Sequence, residues 1–345
     1  MKIKLLLVIP MILVVASCAA GPEGGTGQKS GDGALEIVNV SYDPTRELYQ
    51  EINAAFVSDF QTKTGKTIKV TQSHGGSGAQ ARAVIDSLRA DVVTLALAGD
   101  IDAIARKGLV HDDWEQRLPN HSSPYTSTIV LVVRAGNPKG IKDWPDLTRD
   151  EVKIITPNPK TSGGARWNFL AAWGYVTLVS KGTDEEARAF VGKIYRHTVK
   201  LDSGARGATQ SFVKNKIGDV LISWENDAIL ARKQVPEQHL EIIYPSASIL
   251  AEPPVAVVDK TVDARGTRAA AEAYVKFLYT EAAQDIIGKH TYRPISPAAR
   301  QKYAATLPQL PLFTIREVAG SWSSAQQKYF SDGGIFDQVF QAQQR

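Results

Sequence analysis

The sequence predicts two α/β lobes, each built on a mainly parallel sheet, with a cleft between them. Three observations lead there. Short apolar, strand-like runs alternate with amphipathic helical stretches along most of the chain, the pattern of successive βα units. Val92 to Ala98 is apolar almost without a break, as expected of a strand buried on both faces of a parallel sheet. The texture then changes twice, to Pro, Asn, His and Ser over Leu118 to Pro124 and to Pro253-Pro254 within Ile249 to Asp259, where the chain is expected to cross between lobes. A chain of 345 residues, 43% hydrophobic and 22% charged, is long and apolar enough for two such lobes.

The N-terminus is expected to lie outside the fold. Lys2 and Lys4 precede an apolar run from Leu5 to Ala16 that only Pro10 interrupts. The run is short for a membrane span and reads as the core of an export signal. It ends in Val15-Ala16-Ser17-Cys18, which resembles a bacterial lipoprotein signal, and Cys18 is the single cysteine of the chain. Residues 1–18 are therefore expected to be a lipoprotein signal peptide, with Cys18 acylated and first in the mature protein. The alternative is an ordinary secretory signal cut near Ala19 or Ala20; both export the protein. One cysteine excludes an intramolecular disulfide, so the fold must rest on its core. Residues 19–33, rich in Gly, Ser and polar side chains, read as a flexible tether. No later stretch holds eighteen consecutive apolar residues, so membrane contact is expected through the lipid anchor only.

Residues 34–122 and 256–345 are expected to form the first lobe and 123–255 the second. In the first, Glu36 to Tyr42 reads as a strand; Asp43 caps a helix with Pro44 at its first position, running to about Lys63 and stopping at Gly65. Thr67 to Ser73 is the next strand, and Ala81, Val84, Ile85 and Leu88 give the following helix its apolar stripe. Val92 to Ala98 and a helix opened by Asp100 and closed by Gly108 complete this half. The second lobe takes strands at Thr128–Arg134, Val152–Thr156, Thr198–Asp202, Asp219–Ser223 and Leu240–Tyr244, with a loop carrying Trp144 and helices between. After Val255 to Val258, alanine-rich Thr267 to Ile287 reads as one long helix.

Strand-to-helix turns carry the functional signal. Asn158-Pro159-Lys160-Thr161-Ser162-Gly163-Gly164-Ala165-Arg166 follows an apolar strand and enters Trp167 to Trp173, a buried helix. Ser162 can cap that helix, the glycines let the backbone approach a ligand, and first-turn N–H groups and the helix dipole favour an anion. Alone, such a turn is more often an ordinary cap. Ser73-His74-Gly75-Gly76-Ser77-Gly78, Asp202-Ser203-Gly204-Ala205-Arg206-Gly207 and Ser223-Trp224-Glu225-Asn226 are companion turns, and all stand at carboxyl ends of strands, where open α/β sheets bind ligands. Ser77 and Ser162 offer hydroxyls, Gly163, Gly164 and Ala205 backbone N–H groups, and Trp224 an indole N–H. Donors alone suit a fully ionised oxyanion such as sulfate. A protonated oxyanion would bury its O–H unpaired, at about 1–3 kcal/mol.

With these residues the sequence resembles the periplasmic sulfate-binding proteins that serve ABC importers. The resemblance covers nearly the whole mature chain, through Asn39 to Tyr49, Gln72 to Gly78, Ala90 to Leu97, Pro124 to Val130, Asn158 to Gly174, Leu201 to Gly207, Gly218 to Asn226, Ile249 to Pro253 and Gly333 to Gln338. It implies a type II periplasmic-binding-protein fold, a ligand cleft between lobes joined by two crossings, and a non-catalytic role. It further implies that sulfate, or thiosulfate, is held by Ser77, the Ser162 hydroxyl, the amides of Gly163, Gly164 and Ala205, and the Trp224 indole. His74, Arg166 and Arg206 would stand behind these turns and balance charge through polarised peptide groups. The structural alternatives are a backbone-bonded turn residue for His74, salt bridges for the arginines and core packing for Trp224. A membrane permease is the implied partner and a monomer the implied state. The lipoprotein signal departs from members free in the periplasm, and Ala19 lacks the acidic residue that commonly retains lipoproteins in an inner membrane, which leaves the final membrane open.

Other classes find little support. The formal net charge of +4 is dispersed, without a Lys/Arg run or zinc-finger spacing, so no nucleic-acid partner is expected. Thr64-Gly65-Lys66-Thr67 is similar to the end of a phosphate-binding loop, but Phe60 stands where the motif needs glycine. No Gly-x-Ser-x-Gly elbow surrounds Ser77, Ser162 or Ser203, and the six histidines form no His-x-x-x-His pair, so neither a catalytic residue, a metal nor a cofactor is expected. The rival reading is an exported hydrolase of sulfate or phosphate esters; a third keeps binding and changes the oxyanion.

Overall fold

The computed structural model describes residues 35–341. The signal peptide, Cys18 and the tether lie outside these residues. The first part of the chain gives β1 (Leu35–Tyr42), α1 (Arg46–Thr64), β2 (Ile68–Gly75), α2 (Ser77–Ile85), β3 (Val92–Thr94) and α3 (Ala98–Ala105). A turn, α4 (Pro119–Ser122), and β4 (Tyr125–Thr126) lead to β5 (Ile129–Val133), β6 (Ile154–Pro157), α5 (Gly163–Gly174), α6 (Asp184–Arg196), β7 (Thr198–Asp202), α7 (Ala205–Val213), β8 (Val220–Trp224), α8 (Glu225–Gln234) and β9 (Glu241–Ile243). Then follow β10 (Ser248–Ile249), β11 (Val255–Val257), α9 (Asp259–Arg265), α10 (Arg268–Phe277), α11 (Glu281–Lys289), β12 (Arg293–Pro294), α12 (Pro297–Tyr303), β13 (Leu312–Phe313), α13 (Ile315–Ala319), α14 (Trp322–Ala325) and α15 (Ile335–Gln341).

Two main sheets result, in the orders β11-β3-β1-β2 and β7-β6-β8-β5-β9. Strands delivered by βα units run parallel: β1 with β2 and β3, and β6 with β7 and β8. Strands that enter from a crossing run the other way. Ile129, first in β5, pairs with Trp224, last in β8; Val255, first in β11, pairs with Thr94, last in β3. A chain arriving from the other lobe enters at the cleft edge of the sheet, where the parallel strands end, so it must run antiparallel to them. The sequence records strand identity but not this direction of entry.

Three further differences have local causes. Asp43 is not a helix cap; it opens a 3-10 turn, Asp43–Thr45, with Pro44 buried inside it. The long alanine-rich helix is two helices, because Thr280 intervenes as an N-cap whose hydroxyl accepts from the Ala283 N–H. Its apolar period continues through the break, which is why the pattern read as one helix. The tail, expected with the first lobe, returns to the second after β12. There β13 pairs with β10, and Phe313, Trp322, Tyr329, Phe330 and Phe336 join the core of Trp167, Phe169, Trp173 and Tyr195 on α5 and α6. The chain thus passes between the lobes three times. The cause is the apolar surface of α5, every residue of which is buried and whose aromatics need a cover.

Candidate functional site

The four strand-to-helix turns meet. A Cβ on Gly163 would lie 2.9 Å from both the Ser77 and Ala96 Cβ atoms, so only glycine admits the first-lobe turn this close. A Cβ on Gly76 would lie 2.6 Å from the Thr161 carbonyl oxygen. The Thr161 hydroxyl donates to the Ser203 carbonyl at 2.8 Å, tying the Ser162 turn to the Ala205 turn. The Trp224 indole N–H donates to the Gly164 carbonyl at 3.3 Å and edges onto Trp167. A small cavity touches Gly164, Asn168, Ala205 and Trp224. Thus the N-terminal ends of α2, α5, α7 and α8 converge, one from the first lobe and three from the second. Such ends carry unpaired first-turn N–H groups and a partial positive charge, which together suit an anion.

The hydroxyls differ. Ser162 is the N-cap of α5, and its oxygen accepts from the Ala165 N–H at 3.3 Å, which leaves its proton to give. Ser77 is the first residue of α2, with Gly76 as N-cap. Its hydroxyl donates to Asp100 Oδ2 at 2.6 Å and accepts from the Ala96 N–H at 3.0 Å. The expected hydroxyl donor is therefore turned to a carboxylate, and what Ser77 presents to the convergence point is its first-turn amide.

Behind the turns stand ion pairs that link the lobes. Arg166, buried on α5, pairs with buried Asp100 on α3 at 3.2 Å and donates through Nε to the Pro159 carbonyl. Arg206 on α7 donates to both oxygens of Glu47 on α1, at 2.9 and 2.8 Å. Burial works against ionisation of Glu47, yet the hydrogen bond from Arg206 holds its carboxyl below the usual range. His74 bonds sideways, to Gln72 Oε1 and the Tyr42 carbonyl. Burial holds its imidazole below the usual range, against the opposing hydrogen bond to the Tyr42 carbonyl. Among the described residues no group of three or more His, Cys, Asp or Glu is placed to hold a metal.

Several participants were not singled out in the sequence. Asp100 and Glu47 are each carboxylates on helices distant in the chain from their arginines. The Tyr42–Asp43 turn at the end of β1 also reaches the site: the Tyr42 ring packs against Trp224, and a Cβ on Gly204 would lie 2.8 Å from Asp43 Oδ2. Its position after a strand is the same signal that marked the other turns, but no serine or glycine announces it. Asp227, one turn into α8, is buried with Oδ2 lacking a partner among the described residues, and burial pushes its carboxyl up to about 7.

A two-lobed α/β molecule with helix N-termini converging between its lobes defines a solute-binding protein. Residues 38–293 match the family model described as bacterial extracellular solute-binding protein, and the chain belongs to that family. Within it, the chain is 53% identical over 305 residues to the sulfate-binding protein of Escherichia coli (strain K12), covering 88% of this chain and 93% of that one. It is 47% identical to the thiosulfate-binding protein of Pseudomonas aeruginosa, covering 89% and 92%. Among solved structures, the sulfate-binding protein SubI from Mycobacterium tuberculosis H37Rv superposes with a TM-score of 0.78 at 33% identity, covering 86% of this chain and all of that one.

Proposed function

We propose that this chain captures sulfate, with thiosulfate as the related alternative, between its two lobes and presents it to the permease of an ABC importer. The observation that carries this is the convergence of four helix N-termini with neutral donors: the Ser162 hydroxyl and the Ser77, Gly163, Gly164 and Ala205 amides; the Trp224 indole N–H, which donates to the Gly164 carbonyl, would join them by exchanging that bond for the anion. Charge-assisted hydrogen bonds contribute about 1.5–3 kcal/mol each, so these five offset much of a dianion's desolvation. Arg166 and Arg206 are already paired with Asp100 and Glu47, so they act on the anion through the peptides they polarise, such as that of Pro159. The names of the relatives support capture over ester hydrolysis. In this reading the first lobe comprises residues 34–122 and 256–311, and the second 123–255 with 312–341. Binding closes the hinge. Calorimetric titration with sulfate, thiosulfate, molybdate and phosphate tests the reading; sulfate heats no larger than those of chloride at equal ionic strength would end it.

The protein is exported and held to a membrane through an acyl chain on Cys18. The sequence Val15-Ala16-Ser17-Cys18 supports this. Cys18→Ser should move the protein from the membrane to the soluble fraction after lysis; an unchanged distribution would exclude the anchor.

A further inference from the structure

On the hinge lies a second cavity, of about 380 Å³, a size typical of small-molecule sites. All three chain passages between the lobes line it: Thr126 from the first, Glu252 from the second, and Ile295, Arg300, Leu307 and Leu310 from the third. Its charges are unevenly satisfied. Arg293, also on the wall, is neutralised by a two-pronged pair with buried Glu225, at 2.7 and 2.9 Å. Arg300 gives its Nε–H to the Pro294 carbonyl, and among the described residues it has no ion-pair partner. Glu252 makes no close ion pair among the described residues; burial pushes its carboxyl above the ordinary range, against the weaker pull of the His121 and Arg316 charges. Arg300, without an ion-pair partner, and the carboxyl of Glu252 therefore share a cavity whose remaining wall sets Leu250, Ile295, Leu307, Leu310 and Leu312 beside the polar Asn120, Thr126 and Gln309.

We propose that this cavity binds a small zwitterion with an apolar body, an α-amino acid of leucine size. Its carboxylate would meet Arg300, its ammonium Glu252, and its side chain the leucine wall. A ligand with one charge leaves the opposite protein charge partly buried and unpaired, which disfavours it. Because all three hinge passages form the wall, opening the lobes changes the cavity. Occupancy and closure are then linked, and linkage is reciprocal: the amino acid shifts affinity at the anion site by the same factor by which the anion shifts amino-acid affinity.

The test is calorimetry on the full chain in sulfate-free chloride buffer, with leucine, isovalerate (carboxylate only) and isoamylamine (ammonium only). Leucine should bind one to one and more tightly than either single-charge analogue. Arg300→Ala and Glu252→Gln should each weaken it at least about tenfold, the loss expected for one charge-assisted bond. Both variants should still bind sulfate, since neither residue touches the anion site. No heat from leucine up to its solubility limit, or binding unchanged in both variants, overturns the site. An analogue binding as tightly as leucine overturns the zwitterion, and a sulfate affinity identical with and without saturating leucine overturns the hinge coupling. The binding test needs no sulfate, so its failure leaves the anion reading standing.

Discussion

Ser162 and Ser77 stand at matching turns and use their hydroxyls in opposite directions. Ser162 receives from the helix and keeps its proton to give, whereas Ser77 gives its proton to Asp100. Their substitutions should separate accordingly. Ser162→Ala removes a donor and should weaken sulfate about tenfold; Ser162→Asp adds a repelling carboxylate and should abolish binding by calorimetry. Unchanged affinity in Ser162→Asp would place the site elsewhere. Asp227 offers a pH test at the same scale. Its folded carboxyl titrates near 7, well above the ordinary range, so between about pH 4 and 7 the native state holds a proton that the unfolded state has lost. Stability contributed at this site therefore falls as pH rises through that window. Asp227→Asn should melt higher than the parent at pH 8, by an amount on the order of a few kcal/mol, with the gap closing by pH 4. A pH-independent difference would show that Asp227 is not the group responsible.

At the scale of elements, α5 connects core and site. Its N-terminus faces the first lobe while its aromatics are covered by the tail. Gly163→Ala adds a methyl where Ser77 and Ala96 already approach, so the lobes should fail to close fully. The expected result is at least tenfold faster sulfate release in stopped-flow, with little change in the melting temperature of the sulfate-free protein. Phe336, at the start of α15, packs edge-on to Tyr195 and Phe169. Phe336→Ala should cost roughly 3–5 kcal/mol in chemical denaturation. A loss below about 1 kcal/mol would mean that the tail adds little to the second lobe. The contrast between these two variants, one altering release and one altering stability, follows from what α5 meets: another lobe at its N-terminus and the tail along its aromatic face.

For the molecule as a whole, closure is the functional variable. The lobes meet through Gly163 and Ser77 and through the Arg166–Asp100 and Arg206–Glu47 pairs. Sulfate at a hundred times its dissociation constant should stabilise the fold by about 2.7 kcal/mol and reduce the radius of gyration in X-ray scattering. Stabilisation without contraction would argue for a site already closed in its absence.

The sequence by itself determined what is local: the alternation of strand and helix, and the glycine and serine turns at strand ends, which make Ser162, Gly163, Gly164 and Ala205 the donors of the proposed site. These depend on residues within a few positions of one another, so periodicity and turn chemistry record them. It also carried the family, through the Asn158 to Arg166 stretch. The tertiary structure decided the rest. Asp100 claims the Ser77 hydroxyl across 23 positions and Arg166 across 66, and Glu47 meets Arg206 across 159. The antiparallel entry of β5 and β11, the third passage of the chain and the mixed charge of the hinge cavity likewise arise from packing between distant segments. No local pattern encodes such pairings, because each is selected by the fit of surfaces that come together only when the lobes form.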